Sequence, residues 1–114
     1  MIKIRIHKIK ATVYKNRDGH IYGFDISSHA QSAVCAAVSL LALNTVNAIE
    51  RFTDADFTCE YDEDAKGFLC FRIEDIAAGG YISGADILLK SLELGLKSVK
   101  SRYKKNIILK IVTE

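Results

Sequence analysis

Hydrophobic and polar residues alternate in five short stretches of the chain, and this period of two is typical of half-buried β-strands. Their apolar positions are Ile9, Ala11 and Val13; Tyr22, Phe24 and Ile26; Phe57, Cys59 and Tyr61; Leu69, Phe71 and Ile73; and Ile107, Leu109 and Ile111. The first stretch is preceded by Ile2, Ile4 and Ile6 on the opposite parity, which predicts a bulge or a restart near residues 7–8. Turn-forming residues at 16–19 and 62–67 predict two β-hairpins.

Two longer segments have the period of an α-helix instead. Ser32 is a predicted N-cap for a helix that runs to about Phe52 and is apolar on most sides, which predicts a central, buried helix. The second helix has one apolar stripe, formed by Ala85, Leu88, Leu89, Leu92, Leu96, Val99 and Tyr103. The glycine-containing residues 79–84 before it predict a connector, with a lid over a substrate as the alternative.

The predicted order of elements is therefore ββαββαβ within a single domain, residues 1–114. This order predicts an α+β fold, an α/β sandwich in which a mainly antiparallel sheet carries two helices packed on one face. Ile87 and Leu94 fall on the outer side of the second helix. An apolar outer surface of this kind is most simply covered in a homodimer.

Composition narrows the possible functions. A net charge of +2 gives no strong field, so we expect no direct nucleic-acid partner. The three cysteines, an odd number, form no disulfide framework, which indicates a reduced, cytoplasmic protein. The most apolar segment is interrupted by Ser39, Asn44 and Asn47, so we expect no membrane span. Cys59 and Cys70 lie on the two arms of one hairpin; we interpret them as packing residues and expect neither a metal site nor a cofactor.

The candidate chemistry lies at the start of the first helix, where Cys35 follows His29 closely. A helix N-terminus favours a thiolate, and a nearby imidazole can accept the thiol proton, so this pair is sufficient for covalent acyl transfer. The alternative is a small buried cysteine in the core beside a polar loop histidine. Spacing alone favours that alternative, because one Cys/His pair is a weak signal.

A more specific signal comes from longer segments around these two residues. Residues 23–30 (Gly-Phe-Asp-Ile-Ser-Ser-His-Ala), 34–41 (Val-Cys-Ala-Ala-Val-Ser-Leu-Leu), 45–50 and 94–99 resemble the ribosomal-processing cysteine protease Prp family. The resemblance implies a bacterial, cytoplasmic, homodimeric endopeptidase that removes the N-terminal extension of a large-subunit ribosomal protein, protein twenty-seven.

The resemblance also implies roles for individual residues. Cys35 matches the nucleophile and His29 the general base. Ser39, one helical turn after Cys35, matches a serine of the family and supports the site, or else bonds back to a helix carbonyl. The backbone N–H of Ala36, with that of Ala37, is a candidate donor to an oxyanion.

Two departures from the family pattern leave a second function open. Ser28 replaces a glycine before the histidine, and only residues 30–34 separate His29 from Cys35. The family has a longer loop there, with a glycine and an aspartate. The alternative is therefore a catalytically weakened homologue, or a non-catalytic domain that binds the same peptide or a ribosomal protein.

Overall fold

A computed structural model describes residues 8–27, 33–62 and 68–114. Its elements follow the order predicted from the sequence, with one short helix in addition. They are β1 (Ile9–Lys15), β2 (Ile21–Ser27), α1 (Ala33–Phe52), β3 (Thr58–Asp62), β4 (Phe68–Arg72), α2 (Glu74–Ala77), α3 (Ser83–Arg102) and β5 (Ile107–Thr113). The predicted N-cap Ser32 and the segment before residue 8 lie outside the described residues.

The five strands form one sheet in the order β3-β4-β2-β1-β5. Three neighbouring pairs are antiparallel, and β5 returns to pair in parallel with β1. The α+β prediction, with a mainly antiparallel sheet, is thus confirmed. The first hairpin turns through Asn16, whose Oδ1 accepts the backbone N–H groups of Asp18 and His20, and through Gly19 at φ +85°.

The unpredicted helix α2 follows directly after β4. Ile73 precedes it in an extended conformation, and Glu74 and Asp75 occupy its first turn, where the helix dipole favours negative charge. Ile76 is fully buried, and its carbonyl accepts the side-chain amide of Asn16. The sequence indicated that the strand ends at Glu74, but a single helical turn is too short to show a 3.6-residue period.

Helices α1 and α3 run antiparallel to each other. A Cβ on Gly84, at the start of α3, would lie 3.1 Å from Thr53, whereas one on Gly95 would lie 3.3 Å from Leu41. Both helices pack against the core formed by β1, β2 and β4, where Phe24 and Phe71 stack with ring centroids 5.2 Å apart. The two glycines therefore permit a close approach of the helices.

The prediction that α1 is buried on most sides is wrong. Its buried residues form one stripe, Val34, Val38, Ala42, Thr45, Val46 and Ile49. By contrast, Leu40 and Phe52 are 68% and 74% exposed. The helix has one core face and one apolar outer face.

Helix α1 is also long and apolar enough to cross a membrane. Core helices of globular proteins can have the same length and composition, and a third of this stretch is buried in the protein.

The strand register brings one end of each strand to the same end of the sheet. Lys10 at the start of β1 pairs with Ser27 at the end of β2, Ile9 pairs with Ile107, and Asp62 pairs with Phe68. Since α1 begins six residues after Ser27, its first turn lies at this same end of the sheet. We call it the Cys35 end.

Close strand packing explains the glycine in the middle of β2. Gly23 pairs with Arg72, and a Cβ at position 23 would collide with the carbonyl oxygen of Phe71. We expect Gly23→Ala to lower the free energy of unfolding by about 2 kcal/mol, because the backbone of β4 must move away. Urea denaturation followed by circular dichroism measures this loss.

Gly19→Asn is the matched control for that substitution. Gly19 has positive φ, but no atom lies within 4 Å of the place that a Cβ would occupy, and asparagine tolerates this conformation. Equal losses in the two variants would contradict the steric explanation.

Candidate active site

Cys35 is the third residue of α1, within its first turn. It is half-buried, packs against the hydrophobic core and forms no disulfide. Its neighbour Val34 is 8% exposed, and Val38, one turn later, is fully buried. The side chain of Cys35 therefore lies at the border between the core stripe and the outer face of α1, on a helix that these two valines anchor.

Ser39 and Ala36 both lie close to Cys35 on α1, and their supporting roles remain predictions. Ser39 lies one turn after Cys35 and is half-buried like it, so the two side chains share the same border of the helix. Ala36 is exposed and lies in the first turn, where backbone N–H groups have no intrahelical acceptor. A donor at this place can bind a developing negative charge.

His29 lies outside the described residues, as do Ser28 and residues 30–32. The segment that carries it starts after Ser27 and ends before Ala33, and both of these residues are at the Cys35 end of the sheet. The pairing of His29 with Cys35 therefore remains a prediction. The lid alternative for residues 79–84 is excluded by position, because Gly84 contacts Thr53 at the far end of α1, about 27 Å from Cys35.

The other two cysteines differ from the packing residues that we predicted. Cys59 is exposed on the edge strand β3 and pairs with Phe71, while Cys70 pairs with Glu60, so the two thiols are not directly opposite each other. Burial, together with a hydrogen bond to Asp25, raises the pKa of the Cys70 thiol to about 12. Partial desolvation also raises the pKa of the Cys59 thiol. In residues 8–27, 33–62 and 68–114, no three His, Cys, Asp or Glu side chains lie close enough to hold a metal ion.

A polar cluster on the sheet face away from the helices was not found from the sequence. The Tyr14 hydroxyl donates to Asp25 Oδ2 at 2.6 Å, and the guanidinium of Arg72 lies 4.8 Å from the ring centroid of Tyr22. The Tyr22 hydroxyl is 3.4 Å from Glu114 Oε2. The alternation in β1 and β2 placed Tyr14 and Asp25 on the polar face, but it could not give the register that joins them. It also grouped Tyr22 with the core-facing residues of β2, which is wrong, because a register shift beside Tyr14 turns Tyr22 to the polar face.

Comparisons with known proteins agree with this arrangement. The family model described as cysteine protease Prp matches residues 8–108. This chain belongs to the cysteine protease Prp family. The ribosomal processing cysteine protease Prp of Bacillus subtilis is 25% identical over 105 residues, which are 87% of this chain and 93% of that protein.

Solved structures of similar proteins support the fold of the Prp family here. The crystal structure of SMU.848 from Streptococcus mutans is 25% identical and superimposes with a TM-score of 0.80, covering 94% of this chain and 99% of that one. The Prp protease of S. aureus, solved with a covalently linked product peptide, also gives 0.80 at 23% identity, covering 90% and 98% of the two chains.

The three thiols should differ in reactivity. We expect iodoacetamide at neutral pH to modify Cys35 before Cys59 and Cys70, because the raised pKa values of the latter two keep them protonated. Peptide mapping by mass spectrometry after short exposures measures the order. Cys35→Ser provides the control, in which the fastest modification should vanish; earlier labelling of Cys70 would contradict this assignment.

The Tyr14 hydroxyl should make stability depend on alkaline pH. Its hydrogen bond to Asp25, then burial, raises the pKa of Tyr14 from 10.0 to about 12. Because the folded state holds this proton more tightly, its contribution to stability is complete below pH 10 and is lost as the pH rises towards 12. Tyr14→Phe should lower stability below pH 10 and flatten the decline above it, as measured by urea unfolding.

Tyr61→Phe is the control for the alkaline profile, since Tyr61 is 56% exposed on the edge strand β3. Tyr61→Phe should lose stability above pH 10 as steeply as the wild-type protein does. An unchanged slope in Tyr14→Phe would show that other groups cause the alkaline loss of stability.

Proposed function

We propose that this chain is a cysteine endopeptidase that removes the N-terminal extension of a large-subunit ribosomal protein, protein twenty-seven, in the cytoplasm. The observation that carries the proposal is Cys35, a half-buried thiol in the first turn of α1 in a chain of the Prp family. The name of the B. subtilis relative, a ribosomal processing cysteine protease, supports the ribosomal substrate. The peptides bound to the S. aureus protease support a peptide partner.

The proposed mechanism uses Cys35 and His29. The imidazole of His29 accepts the thiol proton, and the Cys35 sulfur attacks a peptide carbonyl carbon to form a tetrahedral intermediate. The backbone N–H of Ala36, in the first turn of α1, stabilises its oxyanion. The C–N bond then breaks, the imidazolium gives its proton to the leaving amine, and water hydrolyses the thioester to release the second product and the thiol.

The active protein in this proposal is a homodimer. The apolar outer faces of both long helices support it, because Leu40 on α1 and Ile87 and Leu94 on α3 are each 68% exposed. Burying such side chains in a symmetric interface removes apolar surface from water. Ser39 supports the site from the turn after Cys35.

Cleavage of the extended ribosomal-protein peptide tests the proposed function. We expect Cys35→Ser and His29→Ala each to lower kcat/KM by at least about 10³-fold, because the two residues act as one unit in bond cleavage. Mass spectrometry of the products measures the rate and gives the cut site. Cys59→Ser is the matched control and should retain wild-type activity, since its thiol is exposed on the edge strand β3.

The same assay separates the enzyme from the alternative of a non-catalytic binding domain, which the short interval between His29 and Cys35 favours. A wild-type protein that binds the peptide without cutting it would establish that alternative. Full cleavage by Cys35→Ser would overturn the assignment of the nucleophile.

A further inference from the structure

The positive charges of the chain are distributed unevenly over its surface. Among the described residues, Lys15, Arg72, Lys90 and Lys97 form ion pairs with carboxylates. A second group is exposed, and none of its members forms an ion pair with a carboxylate in the described parts of the chain: Lys8, Lys10, Lys104, Lys105 and Lys110. We call the surface formed by this second group the lysine face.

Strand register brings the lysine face together from the two ends of the chain. Lys10 pairs with Ile108, and Thr12 pairs with Lys110, so these residues share the sheet face away from the helices. They line a shallow groove of about 160 Å³. The backbone N–H of Ile9 donates to the carbonyl of Asn106 at 2.9 Å, which brings the turn with Lys104 and Lys105 beside the start of β1.

Neighbouring carboxylates do not neutralise this surface. Asp25 on β2 lies on the same sheet face as Lys10, but its Oδ2 is hydrogen-bonded by the Tyr14 hydroxyl at 2.6 Å, and it forms no ion pair with a lysine among the described residues. Glu114 follows β5 and lies against Tyr22, at the other end of the β1–β5 pair from Lys8 and Lys10. Four further acidic residues lie on and before β3, at the opposite edge of the sheet from β5, and these are Asp54, Asp56, Glu60 and Asp62. A net charge of +2 therefore conceals one basic and one acidic edge.

We propose that the lysine face binds the phosphate backbone of RNA next to the active site. Lysine ammonium groups are point charges that bind phosphate without base selectivity. Lys110 on β5 lies two positions beyond the partner of Lys10 on β1, so the two α-carbons are diagonal neighbours about 8 Å apart and present charges in a row rather than at one point. An extended polyanion fits such a row better than a single small anion does.

The position of the lysine face favours RNA over other polyanions. Lys10 pairs with Ser27, the last described residue before the segment that carries His29, so the lysine face reaches the Cys35 end. This choice of partner rests on the proposed function, because a ribosomal-protein substrate is encountered in the company of ribosomal RNA. Binding RNA there would raise the local concentration of the protease near its substrate.

Fluorescence anisotropy with a labelled single-stranded RNA tests the proposal on the full chain. We expect binding that weakens steeply with salt, since phosphate contacts release counterions. In K10Q/K110Q the slope of log K against log salt should become shallower by about 1.4, about 0.7 for each lysine on a single strand. The variant removes two exposed charges and should unfold at the same temperature as wild type.

R17Q/R51Q is the control of equal net charge. Arg17 and Arg51 are exposed and lie in the β1–β2 turn and at the end of α1, away from the lysine face, and both double variants reduce the charge from +2 to 0. It should retain wild-type RNA affinity. Equal weakening in the two double variants would overturn the proposal, because it would show a response to net charge alone.

Two further ligands separate RNA from other anionic partners. Polyglutamate and phosphatidylserine/phosphatidylcholine vesicles should bind more weakly than RNA, and stronger binding of either would overturn the proposal. Peptide cleavage is measured in parallel, and K10Q/K110Q should retain it. If the wild-type protein cleaves the peptide but does not bind RNA, the lysine-face proposal is refuted and the proposed function is not. If the wild-type protein binds RNA but cuts nothing, the proposed function is refuted and the lysine-face proposal is not.

Discussion

The position of Cys35 depends on the burial of one stripe of α1. Val34 and Val38 hold the first turns of the helix in the core, and Ala42 and Ile49, both fully buried, continue the contact. Each buried aliphatic side chain of valine or isoleucine size contributes about 1.5 to 3 kcal/mol by leaving water. Burial of the stripe fixes the position of α1 along its own axis and its rotation about that axis. The thiol of Cys35, one residue after Val34, therefore lies at the border of the core.

Close packing with α3 adds a second constraint. A Cβ at Gly95 would lie 3.3 Å from both Cδ atoms of Leu41, so the two helices approach more closely than ordinary side chains allow. Interiors at this density transmit small displacements. Helix α1 is thereby held in the core at its first turn and against α3 at Leu41 and Thr53, which suits a group that must be preorganised for chemistry.

Periodicity predicted the fold well because the sheet is half-buried. Alternation in β1 and β2 separated core residues such as Val13 and Phe24 from polar ones such as Asp25, and the structure keeps that separation. The parallel return of β5 to β1 was not predictable in the same way, since alternation gives faces but not partners. Burial of α1 was overestimated for a related reason: Leu40 is as apolar as its buried neighbours, and only tertiary packing decides which of them meets water.

The candidate site was predicted in part. Position in the first turn singled out Cys35, and the resemblance of the surrounding segments to the Prp family gave it a role that one Cys/His pair could not. The composition gives the net charge but not how the charged side chains are arranged on the surface. Lys10 and Lys110 are far apart in sequence, and they share a surface only because β1 and β5 pair.

The pairing of β1 with β5 affects how the protein folds during its synthesis. β1 leaves the ribosome long before β5, because every other described element lies between these two strands in the chain. During translation the edge of β1 that later pairs with β5 has no partner strand. Contacts between segments so distant in sequence form late. The sheet is completed only after β5 has emerged, so the pairing of β1 with β5 is the last of the four strand pairings that the nascent protein can form.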